Sequence, residues 1–459
     1  MKIGGGCLKD PRDFLRVADV VRSKDEPLVM VVSAVFGVTN LLINGIKLAM
    51  GSDKQVPIII KNIKERHKQI VEDTINDEDI KQKTLLALQS KIRKLERLLY
   101  GVAYTEDITN SVRALIISYG ERLAAITIAG VLRSQNIDAE AAESDVIGII
   151  TDSSFENATA ILPIVKENLQ KFIIPLLDKG SVPVITGYFG CTESGKITTF
   201  GRNGSDYSAA VVAHCIGALT LEIWKDVDGF MSADPKLVEG THRIDRLSYY
   251  EAAELSYFGA KILHPRTVEP LVDAGIKIHI KNICDPNSRG TEVLRDGYEK
   301  KDVLKSVTYN NISVVKIQGS GVGSKPGIIG SIGQKLSEIG VNIYSVITSQ
   351  TCINLLIDRK DSKISYEALQ KLSSGIIEAI SVRNDITLVA VVGEGLLRAK
   401  GLAAKVFSAV ADKEINVEMI SAGASEVAYY FIIKEVDLEP AINAIHSKFF
   451  AENLPINYK

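Results

Sequence analysis

The 459-residue chain is poor in cysteine, net charge and long apolar runs, and each shortage closes off a class of protein. The five cysteines, Cys7, Cys191, Cys215, Cys284 and Cys352, are scattered and never form a C-x-x-C pair. That argues against a disulfide framework or structural zinc and fits a reducing, cytoplasmic compartment. No histidine constellation marks Cys7 as a nucleophile, so it reads as an ordinary small residue. Lys plus Arg number 54 and Asp plus Glu 56, a net charge of −2. Such a balance provides no global attraction for nucleic acid or an anionic membrane. No segment reaches the roughly 18 uninterrupted apolar residues of a membrane helix. The opening M-K-I-G-G-G lacks the apolar region of a signal peptide.

The hydrophobic content is 46%, ample for packed cores, and the length predicts two or three domains. The chemistry concentrates in T-T-F-G-R-N-G-S-D-Y-S-A-A, residues 198–210. A strand-like run at 182–187 leads towards it and a small-residue helical run at 207–217 follows. Gly201 and Gly204 let backbone amides approach a ligand. A helix start offers free N–H donors and a positive dipole end. Arg202 adds a fork suited to carboxylate or phosphate. The stretch reads as an anion cradle holding one acid, Asp206. It also reads as a glycine-rich turn with Asp206 as N-cap.

Earlier in the chain, Lys2-Ile3-Gly4-Gly5-Gly6 precedes helical periodicity at 15–21. The run L-V-M-V-V-S-A at 28–34 has the composition of a buried parallel strand and ends in a small polar turn. The triple glycine is not a Walker loop, since no G-K-[ST] follows. Residues 53–100 predict two amphipathic helices without chemistry, with His67 at the surface or half-buried. Residues 108–132 predict a further helix, in which Glu121 and Arg122 read as a solvated helix start. Apolar runs at 147–150, 161–165 and 182–186 read as strands alternating with helices, hence a mostly parallel sheet. After the cradle, a strand at 218–224 enters K-D-V-D-G-F-M-S-A-D-P-K (225–236). That polar loop suits a nucleotide or ordinary turn chemistry equally. A helix at 248–260, F-G-A-K-I-L-H-P at 258–265 and a strand at 276–282 complete the unit, with a boundary at 296–302.

The last third repeats itself. Gly327 and Gly401, and Asn342 and Asn416, stand at the same offset of 74. Each copy reads β-α-β-β-α with a closing strand possible after it.

Together these motifs resemble the aspartate kinases along almost the whole chain. The family's K-F-G-G-T-S is here K-I-G-G-G-C, and V-V-S-A-x-x-G-V-T is V-V-S-A-V-F-G-V-T at 31–39. S-x-G-E is Ser118-Tyr119-Gly120-Glu121, and G-R-G-G-S-D-Y-S-A-A is G-R-N-G-S-D-Y-S-A-A at 201–210. W-T-D-V-D-G-x-x-x-x-D-P has Lys225 for Thr, F-G-A-K-x-L-H-P is intact, and V-V-G-E-G (391–395) and M-I-S-x-G-x-S-E (419–426) match the second repeat.

The resemblance implies an amino-acid-kinase three-layer α/β sandwich with a mostly parallel sheet at 1–296. Two ferredoxin-like (βαββαβ) ACT domains are implied at 303–384 and 385–459. It implies transfer of the ATP γ-phosphoryl group to the β-carboxylate of L-aspartate, the entry to lysine, threonine and methionine synthesis. Lys2 and Asp206 are implied as catalytic, Lys2 neutralising the phosphoryl and Asp206 orienting groups. Ser33, Thr39, Glu121, Arg202, Asn203, Gly204 and Ser205 would hold aspartate, Arg202 on its α-carboxylate and Glu121 on its ammonium. Lys2, Ile3, Gly4 and Gly5, with Gly4 and Gly5 donating amides, would hold ATP. So would Lys225, Asp226, Met231, Lys236, Lys261 and Ile262. Magnesium would ride on the ATP phosphates, with no protein metal site. An amino-acid effector, lysine or threonine, would bind the first repeat at Val322, Lys325, Gly327, Ile328 and Ile329. Asn342, Ile343, Tyr344, Ser349 and Gln350 would complete that surface. Tyr344 and Gln350 stand where lysine-sensitive members carry acids. Pairing of ACT domains implies a homodimer or dimer of dimers. Gly6-Cys7 in place of Thr-Ser, Met231 for Tyr and Asn203 for Gly are the departures. They keep open a weakened or silent regulatory paralogue, beside a kinase for another amino acid such as glutamate.

Overall fold

The computed structural model describes residues 1–201, 204–260, 262–295, 303–372, 377–396 and 399–450. They fall into two compact units. One takes in residues 1–230, 243–256 and the described part of 261–297. The other holds 231–242, 257–260 and the described residues from 303 onward.

The first unit is built on strands β1 (Lys2–Ile3), β2 (Met30–Val32), β3 (Ala139–Ala142) and β4 (Val182–Thr186). The hairpin β5 (Phe189–Cys191) and β6 (Ile197–Thr199) stands apart from the main sheet. β7 (Thr220–Lys225), β8 (Arg246–Ser248), β9 (Lys277–Asn282) and β10 (Thr291–Leu294) complete the set. The main sheet runs β3-β4-β2-β1-β7-β9-β10-β8 and is parallel from β3 to β9; β10 runs antiparallel to β9. Every residue of β2 and β4 is buried, which is why both read as unbroken apolar runs. β1 is two residues long but paired on both sides: Lys2 faces Val31 and Ile223, and Ile3 faces Val32 and Trp224.

Helices α1 (Pro11–Arg22), α2 (Val38–Gly51), α3 (Val56–Thr74), α4 (Glu78–Thr105) and α5 (Asn110–Ser134) form one layer over the sheet. α6 (Leu162–Phe172), α7 (Ile174–Asp178), α8 (Gly204–Ile216) and α10 (Glu269–Val272) form the other; α9 spans Tyr249–Tyr257. The starts of α4 and α5 are capped by Asp77, which accepts from the Ile80 amide, and Thr109, which accepts from the Val112 amide. α5 is long and apolar enough to cross a membrane, yet 94% of its apolar window is buried in the fold.

Four local expectations are corrected. Residues 161–165 enter α6 rather than a strand, because Pro163 sits in its first turn, where proline is pre-set for helix. Residues 147–150 make only an isolated bridge at Ile150, since Gly148 turns the chain with φ +77°. His67 is fully buried, on the α3 stripe of Ile59, Ile60, Ile63, Ile70 and Val71. Its Nδ1 lies 3.2 Å from Thr127 Oγ1. Glu121 and Arg122 lie in the buried middle of α5, not at a solvated start.

The second unit contains two antiparallel sheets. The first repeat is β12 (Ile312–Gln318), α11 (Ile328–Glu338), β13 (Ile343–Thr348), β14 (Cys352–Asp358), α12 (Ser362–Leu369) and β15 (Ala379–Arg383). Its sheet order is β13-β14-β12-β15, so β15 is its closing strand. The second repeat is β16 (Ile386–Val392), α13 (Leu402–Ala411), β17 (Met419–Ser421), β18 (Ala428–Lys434) and α14 (Leu438–Phe450). Its closing place is filled by β11 (Ser306–Asn310), giving β11-β16-β18-β17. A division at 303–384 and 385–459 therefore cuts the second sheet. A strand adjacent in sequence to one repeat pairs in the other, which local patterning does not show.

Burial pushes His67 down to about 3 from its ordinary 6.5. Between these values the unfolded chain binds a proton that the folded one does not, so this contribution to stability is lost as pH falls. Urea unfolding of wild type and His67→Gln between pH 6.5 and 4 is expected to show a shallower loss in the variant. The difference should approach about 1.4 kcal/mol per pH unit; equal slopes would contradict the buried neutral imidazole.

Candidate active site

The carboxyl ends of β1, β2 and β7 meet where the chain leaves β1 for one neighbour and returns to the other, the place where open α/β sheets bind ligands. A cleft of about 770 Å³ opens there. Its walls carry Lys2, Gly4, Gly5, Ser33, Thr39, Glu121, Ser205, Asp206, Lys225 and Asp226. These expected residues come from five separate chain segments and converge on one space.

Its charged floor is Asp206, in the first turn of α8 and only 1% exposed. Lys2 Nζ lies 2.5 Å from Oδ1 and Lys225 Nζ 3.1 Å from Oδ2. Asp206 is thus a doubly paired carboxylate, third residue of its helix rather than N-cap. Burial alone would raise its pKa, but the two ammonium groups hold it at about 2. Burial draws the Lys2 ammonium down from the usual lysine range, and Asp206 opposes that. Two cations on one anion leave an excess positive charge under the cleft.

Glu121 reaches the cleft from α5. Gly120 makes this possible: a Cβ there would lie 2.8 Å from the Ala34 Cβ, so only glycine lets the helix approach the turn after β2 so closely. Glu121 Oε1 accepts from the Ala34 amide at 3.1 Å, while Oε2 is buried with no hydrogen-bond partner among the described residues. Burial pushes its carboxyl up to about 8. Arg122 fixes the helix: it donates to Ser118 Oγ at 3.1 Å and to Asp145 Oδ2 at 2.9 Å, pairs with Glu143 and covers the Phe189 ring.

The glycine loop differs from expectation in one donor. The Gly4 amide is held by the Trp224 carbonyl at 3.1 Å. In the 3₁₀ turn over Gly5–Cys7 the Cys7 amide donates to the Gly4 carbonyl at 2.9 Å, and the first-turn Gly5 and Gly6 amides have no partner within the turn. Gly6, at the family's Thr position, leaves room for Asp226: a Cβ at residue 6 would lie 2.7 Å from Asp226 Oδ1. That carboxylate pairs with Lys9 at 2.7 Å, which holds it below the usual range. Cys7 is buried with its thiol pushed up to about 12, consistent with an inert small residue.

Other expected residues are not among the described residues on its walls. Ile3 and Gly204 are buried beside the cleft rather than on its wall, and Ile262 is half-buried elsewhere in the unit. Met231 and Lys236 belong to the second unit, where the Met231 carbonyl accepts from Ser306 Oγ and Lys236 is exposed. Arg202, Asn203 and Lys261 lie outside the described residues. Sequence reasoning missed Arg113 and Tyr188, which also line the cleft. Tyr188 holds φ +74°, a strained value for a non-glycine residue and one common at functional sites. Arg113 carried a readable signal, since it stands four and eight residues before Ile117 and Glu121 on one helix face. Among the described residues no group of three His, Cys, Asp or Glu side chains is placed to hold a metal.

In the second unit, Gly327 opens α11 in a left-handed conformation, with Ile328 buried and Ile329 half exposed. Val322 is buried in the turn before it, and the Gly323 amide donates to the Gln350 carbonyl at 3.2 Å, bringing Ser349 and Gln350 to that turn. Lys325 and Asn342 are exposed, Ile343 is half-buried, and the Tyr344 ring packs edge-on against Tyr257.

Residues 1–282 match the model of the amino acid kinase family, and residues 389–449 match the ACT domain. The chain belongs to the amino acid kinase family. Within that family it is similar to aspartokinases over 98% of its length. It is 28% identical to the bifunctional aspartokinase/homoserine dehydrogenase of Buchnera aphidicola and 27% identical to the chloroplastic aspartokinase 1 of Arabidopsis thaliana. It spans 56% of the former and 80% of the latter, about half the length of the bifunctional relatives. The crystal structure of E. coli aspartokinase III in complex with aspartate and ADP (R-state) superposes with a TM-score of 0.83. That alignment has 26% identity and covers 98% of this chain and 99% of that one. The same enzyme in complex with lysine and aspartate (T-state) gives 0.81.

The raised carboxyl of Glu121 makes ligand binding pH-dependent. A cation docking on Oε2 favours the ionised form, so binding releases a proton below about pH 8. The KM for an amino-acid substrate is expected to fall as pH rises from 6 to 8 and then level off. Glu121→Gln should raise KM and flatten that profile; an unchanged profile would place the ammonium site elsewhere.

Proposed function

We propose that this chain is an aspartate kinase, transferring the γ-phosphoryl group of ATP to the β-carboxylate of L-aspartate. The observation that carries the reading is the buried Lys2–Asp206–Lys225 cluster sharing one cleft with the unpartnered oxygen of Glu121. Phosphoryl transfer asks a protein for positioning and for positive charge where oxygens gather negative charge. Lys2 and Lys225 supply that charge and the Gly5 and Gly6 amides can cradle phosphate oxygens. Asp206 holds both lysines in place; it is not a base, because the attacking carboxylate carries no proton at neutral pH. Glu121 takes the substrate ammonium, and Ser33, Thr39 and Ser205 line the acceptor space. Arg202 is assigned to the α-carboxylate. Lys261 remains assigned to the nucleotide by family resemblance. Magnesium fits as a passenger on the ATP phosphates: both Asp206 oxygens face lysines and Asp226 is bound to Lys9, so no protein cage competes. When bound, the ion would neutralise phosphate charge.

The test is ATP-dependent hydroxamate formation with L-aspartate and L-glutamate in parallel. Aspartate alone should support turnover, and Lys2→Ala and Asp206→Ala should each lower kcat on the order of 10²–10³, or about 3–4 kcal/mol. Turnover with glutamate only, with neither, or near-normal turnover in either variant would refute the assignment.

The first ACT repeat is proposed as an amino-acid effector site. The turn before α11 and the Ser349–Gln350 turn meet there, and helix N-terminal amides donate to a carboxylate. Assembly through the ACT domains as a homodimer or dimer of dimers accompanies this reading. An effector inhibits by binding the inactive arrangement more tightly. Activity titrated with lysine, threonine and methionine to about 10 mM, a range covering weak small-ligand sites, should fall with lysine or threonine. No response, with no heat of binding, would leave the repeats as assembly modules.

A further inference from the structure

Arg113 is a cation in the cleft whose position helix stability does not explain. It is the fourth residue of α5, where a positive charge opposes the helix dipole. It lines the same cleft as Glu121, two helical turns further on, with Ala114 and Ile117 between them. Burial pushes the Tyr188 hydroxyl up to about 12, and it stands in the field of both: Glu121 adds to that rise and Arg113 opposes it. Among the described residues Arg113 makes one ion pair, from Nε to Glu156 Oε1 at 3.7 Å. That contact is long, and the partners are 34% and 65% exposed, so it exchanges readily. It engages Nε and leaves the two terminal nitrogens for a second carboxylate. Glu156 also abuts the glycine turn that precedes α8. A Cβ on Gly201, which lines the same cleft, would meet the Glu156 carbonyl at 3.3 Å.

We propose that Arg113 is a specificity-determining residue: it leaves Glu156 to bind the unphosphorylated α-carboxylate of the amino-acid acceptor, while Glu121 holds the ammonium. Glu156 competes with the substrate for this guanidinium and sets how tightly the acceptor binds. The inference rests on the aspartate kinase reading above and adds a second carboxylate contact, on α5.

Steady-state kinetics on the full chain separate the possibilities, with L-aspartate and ATP each varied. Arg113→Gln should raise KM for aspartate about tenfold, the scale of one charge-assisted contact, with kcat and KM for ATP within about twofold. Arg113→Lys, a point charge without the fork, should fall between. Glu156→Gln should move the other way, lowering KM for aspartate below the wild-type value. A purely structural ion pair would make both substitutions lose thermal stability together and leave KM alone. An unchanged KM in Arg113→Gln, or a raised KM in Glu156→Gln, overturns the inference while leaving the kinase reading intact. A wild-type chain that phosphorylates no aspartate overturns the reading and the inference with it.

Discussion

A carboxylate removed from water must be paired, and here one carboxylate is paired twice. Asp206 sits between Lys2 and Lys225 almost without solvent, so three chain segments must hold register for these charges to meet. That demand explains why a strand of two residues sits at the centre of the sheet. β1 is pinned by β2 on one side and β7 on the other, and this fixes Lys2 opposite Val31 and Ile223. It also explains the small residues of α8. Gly187 faces Ser205, with a Cβ there only 2.8 Å from the serine Cβ, so the helix start can come down onto the strand ends. The sheet, the helix and the excess positive charge are one arrangement.

Around this floor the glycine loop is balanced differently from the family pattern. With Gly6 in place of a threonine, the Asp226 carboxylate occupies the space beside the loop and is anchored by Lys9. A hydroxyl at residue 6 and this placement of Asp226 exclude one another on steric grounds. The departure is therefore a repacking of the cleft edge, and it leaves Lys2, Asp206 and Lys225 untouched. Cys7, buried against the Trp224 carbonyl, fills the place of a serine without chemistry of its own.

Much of this was legible in the sequence because it was local. The buried runs of β2 and β4, the periodic α3 and α4, the small-residue helix α8 and the offset of 74 between repeats all follow from short-range patterns. Glu121 was legible only through its motif; its residue type in an apolar helix first suggested a solvated turn, and only the packing at Gly120 shows why it is buried. What stayed hidden depended on distant partners. His67 is a polar residue on a core stripe, paired across to Thr127. Tyr188 takes a left-handed backbone that its side chain does not advertise. Met231 and Lys236 adjoin Asp226 in one continuous motif, yet the chain between them crosses from one compact unit to the other. β11 could not be placed by pattern, because an alternating strand says which face is buried and not which neighbour it pairs with.

The placement of β11 gives the first repeat an unusual mounting. The chain runs through β11, leaves by Asn311, builds the whole of the first repeat, and returns by residues 384 and 385 into β16. β11 and β16 are hydrogen-bonded neighbours, with Asn310 opposite Leu388, so both tethers leave from one end of a single strand pair. A single backbone nick cannot release the first repeat, and a cassette bounded by 312 and 383 is the piece that can be exchanged without unravelling its neighbour. Turning that cassette about its two anchors would shear β11 along β16. The rungs between Ser306–Asn310 and the strand beside them are the mechanical gauge on which such a rotation would register.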